Sequence, residues 1–343
     1  MRFTQLAALV AGLCASIVAI AAAGQETTPA MLAAAEKEGK VVWYTAVDVK
    51  VAEAVAKVFR EQYPRIALEV ERSGSERVFQ RITQEFQSNI HNVDVVNSSD
   101  ASHFLLWKQQ NLLAKHTPPD VQRFAAQYKD PDGYYAVWRA SLSVMGCNTN
   151  LVKPADAPKG YADLLDAKWK GKLVKSHPGY SGTSLTGTYA LEKALGWDYF
   201  EKLAKQNVQQ LQSTTAPPKS IASGERAVMV DGNEYNMFIE IQAKSPVAII
   251  YAKEGTPFVT SPTAIFASAP HPNAARVLQN FLYTAKVQQL LVDDGGLRSV
   301  HPDVKEPANR TPLKDIKLLA DDPAAMLPHI AEIKQRYTAI FGN

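Results

Sequence analysis

The chain has 343 residues, 46% of them hydrophobic and 21% charged, which is enough length and apolar content for two domains that each bury a core. Its formal net charge of +3 is small, and it contains neither a Lys/Arg-rich run nor an interleaving of basic with aromatic residues. These properties are typical of a globular protein and argue against nucleic acid as a partner.

Residues 1–24 have the pattern of a secretory signal peptide. A basic start at Arg2 precedes an almost wholly apolar stretch from Leu6 to Ala23, which ends in small residues. We expect cleavage near Ala23 or Gly24 and export of the mature protein to the periplasm. A membrane-spanning anchor is the alternative, but the stretch is rich in Ala and only weakly hydrophobic.

The cysteine content indicates that the mature protein has no disulfide bond. The two cysteines are Cys14, which lies inside the predicted signal peptide, and Cys147. A mature chain with one thiol cannot form an internal bridge, so its stability must come from a large hydrophobic core.

The first third of the mature chain alternates short apolar runs with segments of helical period. Strands are predicted at residues 41–45, 66–70 and 93–96, and a helical pattern follows each of them. This alternation predicts a parallel, doubly wound α/β sheet. In such sheets, ligands bind beyond the carboxyl ends of the strands.

Each of these three predicted strands ends in a turn that carries hydroxyl groups and leads into a helix. Helix capping explains any one such turn, but three of them in one domain indicate a surface prepared for a polar ligand. The candidate ligand-binding residues in these turns are Thr45, Ser73, Gly74, Ser75, Ser98 and Ser99.

The second half of the chain predicts another α/β unit. Residues 134–148 have the composition of two strands rich in aromatic and β-branched side chains. Further strands are predicted at residues 228–231 and 247–251, and helices fill most of residues 274–292. The chain therefore has the elements for two α/β domains.

The run "GYSGTS" at residues 179–184 directly precedes a predicted helix. Ser and Thr cap helices, glycine permits a close approach to the backbone, and the free N–H groups at a helix start attract anions. A well-capped helix after a turn is the alternative reading of this pattern. We interpret the run as an anion cradle, with Tyr180, Ser181, Gly182 and Thr183 as candidate ligand-binding residues.

Four segments, in order along the chain, carry a resemblance to a known family. They are "VVWYTAVDVKVAEAVAKVFREQYPRIALEVERSGSERVFQRI", "YADLLDAKWKGKL", "ASGERAVMVDGNEYNM" and "NAARVLQNFLYTAKVQQLL". Together they resemble the ferric-iron-binding branch of the periplasmic binding proteins of type II architecture, and the likeness extends over nearly the whole mature chain.

That resemblance implies two doubly wound α/β lobes joined by hinge strands, with a solute bound between the lobes as they close. The implied limits are residues 25–130 and 262–310 for lobe 1, and 131–261 and 311–343 for lobe 2. It also implies an ABC permease of the inner membrane as the partner that receives the solute. We expect a monomer that needs no cofactor.

The sequence departs from this branch at the positions where its members hold iron. The turn at residues 45–48 has no His, Arg77 falls near the position of the metal-binding Glu, and the usual tyrosine pair is reduced to Tyr235. We therefore expect no bound metal and include Tyr235 among the ligand-binding residues. A ferric-iron carrier that uses Tyr235 and a synergistic anion is the alternative.

Two arginines suggest what replaces the metal. Arg77 at a helix start and Arg139 in a crossing strand, with Ser141 beside it, suit a phosphate, phosphonate or carboxylate group, since guanidinium groups bind such oxyanions strongly. A solvated helix face is the alternative for Arg77, and a structural ion pair is the alternative for Arg139. The sequence thus predicts a small anionic solute.

A secreted hydrolase is a weaker alternative. The chain has no Gly-x-Ser-x-Gly elbow, no Ser-x-x-Lys and no His-Glu-x-x-His pattern. His177 precedes Ser181 by four residues across a Pro-Gly turn, and this spacing does not by itself position a general base. We therefore expect no enzymatic activity.

Overall fold

The computed structural model describes residues 26–342. The predicted signal peptide and its cleavage site lie outside these residues. Within the described part of the chain, no helix combines the length and the apolar character that crossing a membrane requires.

Strands and helices alternate along most of the chain. The strands are β1 Lys40–Thr45, β2 Ala67–Arg72, β3 Val95–Asn97, β4 Ala136–Asn148, β5 Leu173–Ser176, β6 Gln209–Leu211, β7 Val228–Asn233, β8 Val247–Ile250, β9 Thr256–Ile265 and β10 Leu318–Leu319. The helices are α1 Pro29–Glu38, α2 Val49–Gln62, α3 Ser75–Gln87, α4 Ser102–Gln109, α5 Gly182–Leu195, α6 Trp197–Ala204, α7 Ala216–Ala222, α8 Glu234–Gln242, α9 Pro272–Tyr283, α10 Ala285–Asp293, α11 Pro323–Met326 and α12 Ile330–Phe341.

The strands are hydrogen-bonded in the order β2-β1-β3-β9-β4-β7-β5-β6, with β8 beside β4 and β10 beside β9. β1 pairs in parallel with β2 and β3, whereas β9 runs antiparallel to both β3 and β4. We call the part built on β1, β2 and β3 lobe 1, and the part built on β5, β6 and β7 lobe 2. The predicted fold of two α/β lobes joined by crossing strands is confirmed, while the residue limits of the lobes stay a prediction.

Lobe 1 forms where the sequence predicts its elements. Every residue of β1 after Lys40 is buried, and Val55 and Phe59 lie on the buried face of α2 at helical spacing. The carboxylate of Asp48 caps α2 by accepting a hydrogen bond of 3.0 Å from the Lys50 N–H. The turn after β1 is therefore held at the carboxyl edge of the sheet.

Residues 134–148 contain one long strand, so the prediction of two strands there is wrong. β4 has 13 residues, all of them buried. No Gly, Pro, Asn or Asp interrupts residues 136–145, so the chain has no turn signal at which to reverse. Trp138 packs in the core of lobe 1 and Met145 in the core of lobe 2, which makes β4 a crossing strand.

Lobe 2 encloses a charged pair in its core. The Lys175 ammonium on β5 lies 3.1 Å from the carboxylate of Asp231 on β7 and donates to the Tyr337 hydroxyl at 2.6 Å. Tyr337 belongs to α12, which packs against α5 and α6. The buried ammonium is thus matched by a carboxylate and a hydrogen-bond acceptor, as buried charges require.

After α10 the chain crosses between the lobes again, beside β4. Arg298 and Ala140 exchange backbone hydrogen bonds of 2.8 and 3.1 Å. The guanidinium groups of Arg298 and Arg310 also donate to the fully buried carboxylate of Glu234, at 2.7 to 2.9 Å. Since Glu234 begins α8, this ion cluster fastens the crossing segment to lobe 2.

We predict that the Glu234→Gln variant loses about 3–5 kcal/mol of unfolding free energy, because it removes the fully buried carboxylate that both guanidinium groups share and leaves them the partly exposed Glu306. Urea unfolding followed by circular dichroism measures the loss. The control is Glu69→Gln, whose exposed pair with Lys40 spans 3.6 Å and should contribute no more than about 1 kcal/mol. Equal stability of the two variants would contradict a structural role for the cluster.

Candidate functional site

A polar cavity lies between the lobes, beside the crossing strand β4. Ser75, the first residue of α3, lines it, as do Ser181 and Asn233, the residues just before α5 and α8, so the N–H groups at these helix starts add positive potential there. The lining residues are Ala46, Arg72, Gly74, Ser75, Ser99, Arg139, Ser181, Thr183, Ser213, Thr214, Thr215, Asn233 and Tyr235. They include two arginines and no Asp, Glu or His.

Arg139 is the buried charge of this cavity. It is 2% exposed, its Nε atom has no hydrogen-bond partner, and no carboxylate of a described residue lies within 4.0 Å of its guanidinium. Burial lowers its pKa, the Tyr235 phenol opposes this effect, and the nearby charge of Arg72 lowers the pKa further. An unpaired buried guanidinium beside a second one is destabilising unless an anion or water compensates it.

Hydroxyl groups from both lobes complete the wall. The Ser181 and Thr214 hydroxyls are 3.1 Å apart, and the Asn233 amide donates to the Thr214 hydroxyl at 3.0 Å. On the lobe 1 side, the Ser99 hydroxyl donates to the Ser75 hydroxyl at 3.1 Å. These groups are donors and acceptors held in place by one another, which preorganises the wall for a polar ligand.

Tyr235 lies two residues after the last residue of β7, at the carboxyl end of that strand, as the sequence indicates for a cleft residue. Its side chain is 1% exposed, and its ring centroid lies 5.9 Å from the centre of the Arg139 guanidinium. Burial raises the pKa of the Tyr235 phenol, with Arg139 opposing the shift. The phenol is therefore a neutral hydrogen-bonding group at neutral pH.

Half of the fourteen predicted ligand-binding residues line this cavity, and they come from five separate segments of the chain. They are Gly74, Ser75, Ser99, Arg139, Ser181, Thr183 and Tyr235. Two others are buried and bonded inside lobe 1: the Thr45 hydroxyl donates to Asn97 at 3.3 Å, and the Ser98 hydroxyl lies 2.9 Å from His103 Nδ1. Ser73, Arg77, Ser141, Tyr180 and Gly182 also fall outside the lining.

Arg77 is exposed and lies at the rim of the cleft. Its guanidinium donates to the Gln212 side chain of lobe 2 and lies 5.5 Å from the centroid of the Tyr180 ring. The arginine that enters the cavity from lobe 1 is Arg72, whose Nε also donates to the Val47 carbonyl at 3.0 Å. Arg77 therefore bridges the lobes beside the cavity.

The sequence prediction does not include five polar lining residues. Each of them lies at a strand end or in a hydroxyl-bearing turn, the pattern that identified the others. Arg72 ends β2 and directly precedes the predicted turn at Ser73. Residues 213–215 are a Ser-Thr-Thr run between β6 and α7, the same strand, hydroxyl turn and helix pattern as the predicted turns. Asn233 is the last residue of β7.

The two lobes are closed tightly onto each other at this cavity. The Gly182 N–H of lobe 2 donates to the Ser75 hydroxyl of lobe 1 at 2.6 Å, and the Asn236 amide donates to Asp48 at 3.4 Å. The remaining space has a volume of about 10 Å³, room for about one water molecule. A solute larger than water therefore requires the lobes to stand further apart.

A larger cavity of about 590 Å³ lies against the crossing strands and is lined mostly by apolar surface, including Tyr128, Tyr135 and Phe258. It contains no arginine and no cluster of hydroxyls. The convergent polar groups and the unpaired guanidinium make the smaller cavity the candidate ligand site, because a few convergent polar groups give a ligand site its specificity.

Comparisons with known proteins agree with this two-lobed architecture. The sequence model of a family described as bacterial extracellular solute-binding proteins matches residues 91–317, about two thirds of the chain. The chain belongs to this solute-binding family. A curated relative, the probable ABC transporter periplasmic-binding protein y4fP of Sinorhizobium fredii, is 22% identical over 263 residues, which are 73% of this chain and 72% of the relative.

Solved structures place this solute-binding protein among the periplasmic binding proteins of type II architecture. AfuA of Actinobacillus pleuropneumoniae, solved with exogenous fructose-6-phosphate bound, has a TM-score of 0.80 at 21% identity, covering 88% of this chain and 98% of AfuA. Iron-bound HitA of Pseudomonas aeruginosa has a TM-score of 0.75 at 19% identity, covering 88% and 99%. At these identities the likeness shows the fold alone.

We predict that Gly182→Ala prevents full closure of this solute-binding protein without unfolding it. A Cβ atom at Gly182 would lie 2.6 Å from the Asp100 Cβ and 2.8 Å from the Asp100 backbone N across the cleft, and backbone cannot move aside as a side chain can. Small-angle scattering in the presence of the co-purified solute should show a larger radius of gyration than for the wild type, with an unchanged melting temperature.

The matched control is Gly187→Ala, which lies on the same helix. Its added Cβ would meet the Ser143 hydroxyl of the adjacent strand β4 at 3.3 Å, a contact that a small side-chain shift relieves. This variant should close as the wild type does. Identical scattering of the Gly182→Ala variant and its control would mean that the lobes do not approach at Gly182 in solution.

Proposed function

We propose that this protein is the periplasmic component of an ABC import system. It captures a small anionic solute, one that bears a phosphate, phosphonate or carboxylate group, in the interlobe cavity and delivers it to a permease of the inner membrane. The observation that carries the proposal is Arg139, a buried guanidinium with no carboxylate partner in a cavity whose lining has no acidic residue.

An oxyanion supplies the negative charge that the lining of the cavity lacks. Its oxygens accept charge-assisted hydrogen bonds from the guanidinium of Arg139, and Arg72 stands beside it as a second positive group. The hydroxyls and the N–H groups at the starts of α3, α5 and α8 provide neutral donors from both lobes. Binding of the solute to both walls favours the closed arrangement of the lobes.

The relatives are compatible with this proposal. AfuA was solved with a sugar phosphate, so a protein of this fold holds a phosphate-bearing solute. The relative from Sinorhizobium fredii is named as a periplasmic-binding protein of an ABC transporter, which supports the periplasm as the location and a permease as the partner. Transport across the inner membrane is the step that the permease carries out.

A hinge at the crossing strands gives the solute access. β4 and β9 run through both lobes and pair with each other, while the segment around Arg298 crosses beside them. Bending of these segments separates Gly182 from Ser75 without breaking either hydrophobic core. We propose the lobe limits that the sequence predicts. Lobe 1 comprises residues 25–130 and 262–310, and lobe 2 comprises residues 131–261 and 311–343.

The ferric-iron alternative is less compatible with the cavity. A trivalent cation would face two guanidinium groups, and Tyr235 would be its one anionic ligand among the lining residues. Burial also raises the pKa of Tyr235, which opposes formation of the phenolate that iron requires. Because iron-bound HitA has the same fold, the ferric-iron alternative is tested by a separate experiment.

The hydrolase alternative lacks an assembled pair of nucleophile and base. The Ser181 hydroxyl is bonded to Thr214, whereas His177 Nδ1 accepts the Gly179 N–H at 2.9 Å. No hydrogen bond joins Ser181 to His177 in the described part of the chain. The geometry therefore supports binding and gives no nucleophile for catalysis.

We predict that Arg139→Ala weakens solute binding by about 2–5 kcal/mol, because a charge-assisted partner is lost from a desolvated site. Thr183→Ala, which removes one neutral hydroxyl, should weaken it by about 0.5–1.5 kcal/mol. Native mass spectrometry of protein isolated from the periplasm identifies the solute, and calorimetric titration with that solute measures both losses.

Arg77→Ala is the matched control for this experiment, since Arg77 carries the same group at the rim. It should weaken binding less than Arg139→Ala does. The melting temperature of the empty Arg139→Ala variant should not fall, because this buried charge has no partner to lose. A larger loss of affinity at Arg77 than at Arg139 would place the anion at the rim and contradict the proposed site.

For iron, we predict that titration of the protein with ferric citrate produces no visible tyrosinate-to-iron absorption band. The expected reason is repulsion by Arg72 and Arg139 in the cavity. A saturable band that is lost in the Tyr235→Phe variant would favour the iron carrier over the anion carrier. Solute binding measured in parallel on the same samples distinguishes loss of protein from loss of function.

A further inference from the structure

Three buried side chains converge directly behind the lobe 1 wall of the cavity. They are Glu76 and Asp100, which follow the lining residues Ser75 and Ser99 in sequence, and His103 on α4. None of the three is more than 3% exposed. His103 Nε2 lies 3.3 Å from Glu76 Oε1 and 3.4 Å from Asp100 Oδ2, and the three atoms all lie within 4.8 Å of one another.

The two carboxylate oxygens that face His103 are buried in the enclosed space between the three side chains. Glu76 Oε1 and Asp100 Oδ2 have no hydrogen-bond partner by strict geometry in the described part of the chain. His103 Nε2 lies between them at ion-pair distance from each. Two carboxylate oxygens and a ring nitrogen thus share one enclosed space.

The outward-facing atoms of the same three side chains are all held in place. Glu76 Oε2 accepts from the Lys334 ammonium, and Asp100 Oδ1 accepts from the Ser102 N–H at 2.9 Å and from the Ser102 hydroxyl. His103 Nδ1 lies 2.9 Å from the Ser98 hydroxyl. Metal ligands are oriented in this way, by an outer set of hydrogen bonds that leaves the coordinating atoms free.

The distances fit a transition-metal ion. Ligand atoms at about 2.0–2.1 Å from a tetrahedral Zn²⁺ are about 3.3–3.4 Å apart, which is the separation of Nε2 from each carboxylate oxygen. One imidazole and two carboxylates form a donor set that suits Zn²⁺ better than Ca²⁺ or Mg²⁺, which prefer oxygen alone. We propose that Glu76, Asp100 and His103 form a second site, distinct from the anion cavity, that binds one divalent transition-metal ion, Zn²⁺ in preference.

A proton is the rival occupant. Burial lowers the pKa of His103, but the charges of Asp100 and Glu76 outweigh it and the net shift is upward, with Lys334 opposing them. Burial raises the pKa of Glu76, but His103 and Lys334 lower this pKa to about 2. The Glu76 carboxylate is therefore ionised at neutral pH. A metal ion therefore replaces the imidazole proton, and its binding releases a proton to solvent.

Metal binding would stiffen the lobe 1 side of the cavity. The three ligands come from the start of α3, the turn after β3 and the first turn of α4, so one ion would join all three segments. Asp-x-x-His at residues 100–103 places two of them one helical turn apart. The third comes from a different turn, so sequence spacing gives only part of the site.

Calorimetric titration with ZnCl₂ alone tests the site on the mature chain after removal of metals with a chelator and dialysis. We expect one Zn²⁺ bound per chain. His103→Gln and Glu76→Gln should weaken Zn²⁺ binding by more than about 100-fold. Ser98→Ala removes the outer hydrogen bond to His103 and the acceptor of the Asp100 N–H, and should weaken it by about 10–100-fold.

The matched control is His271→Gln. His271 Nδ1 lies 2.9 Å from the buried Asp94 in the same lobe, but that pair has no third ligand. This control should bind Zn²⁺ as the wild type does. Zn²⁺ binding that survives both His103→Gln and Glu76→Gln, or the absence of saturable binding to the wild type, would overturn the proposal.

Anomalous scattering from wild-type crystals soaked in ZnCl₂ keeps the test decisive if a variant fails to fold. The expected result is a peak at the zinc absorption edge between Glu76, Asp100 and His103. A peak only elsewhere, or none, would overturn the site. The outcome is independent of the anion proposal, because that proposal is tested at Arg139 with a different ligand.

Discussion

The unpaired charge of Arg139 is the constraint on which the rest of the site depends. Removing an ion from water costs several kcal/mol unless an opposite charge or water compensates it, and no carboxylate does so here. β4 carries this charge through the junction of the lobes, where closure would seal it from solvent. Opening to water and closure on an anion are the two ways to satisfy it, so the proposed hinge motion and the proposed anion preference rest on the same residue.

The treatment of other buried charges shows that Arg139 is an exception within this chain. Lys175 lies against Asp231, and Arg298 and Arg310 share Glu234, so the cores of the protein pair their charges. Arg139 has no carboxylate within 4.0 Å among the described residues, and it lies where the lobes meet. Strain of this kind is tolerated at ligand sites because the ligand relieves it.

Local pattern predicts most of the fold, because each strand and helix of lobe 1 carries its own apolar period and turn signal. It also predicts the turns that supply Ser75, Ser99 and Ser181, since each follows a strand and precedes a helix. The pattern cannot show which side chains of a turn enter the cavity. β1 aligns Thr45 with both Arg72 and Asn97, and Arg72, although exposed, lines the cavity while Arg77, five residues later, lies at the rim.

The two sites have opposite ligands but reinforcing electrostatics. The group of Glu76, Asp100, His103 and Lys334 contains two acidic and two basic side chains. A divalent ion bound to it would add positive charge there. That charge lies behind Ser75 and Ser99, which line the anion cavity. Because buried charges are weakly screened, the metal ion would strengthen the attraction of the cavity for an anion.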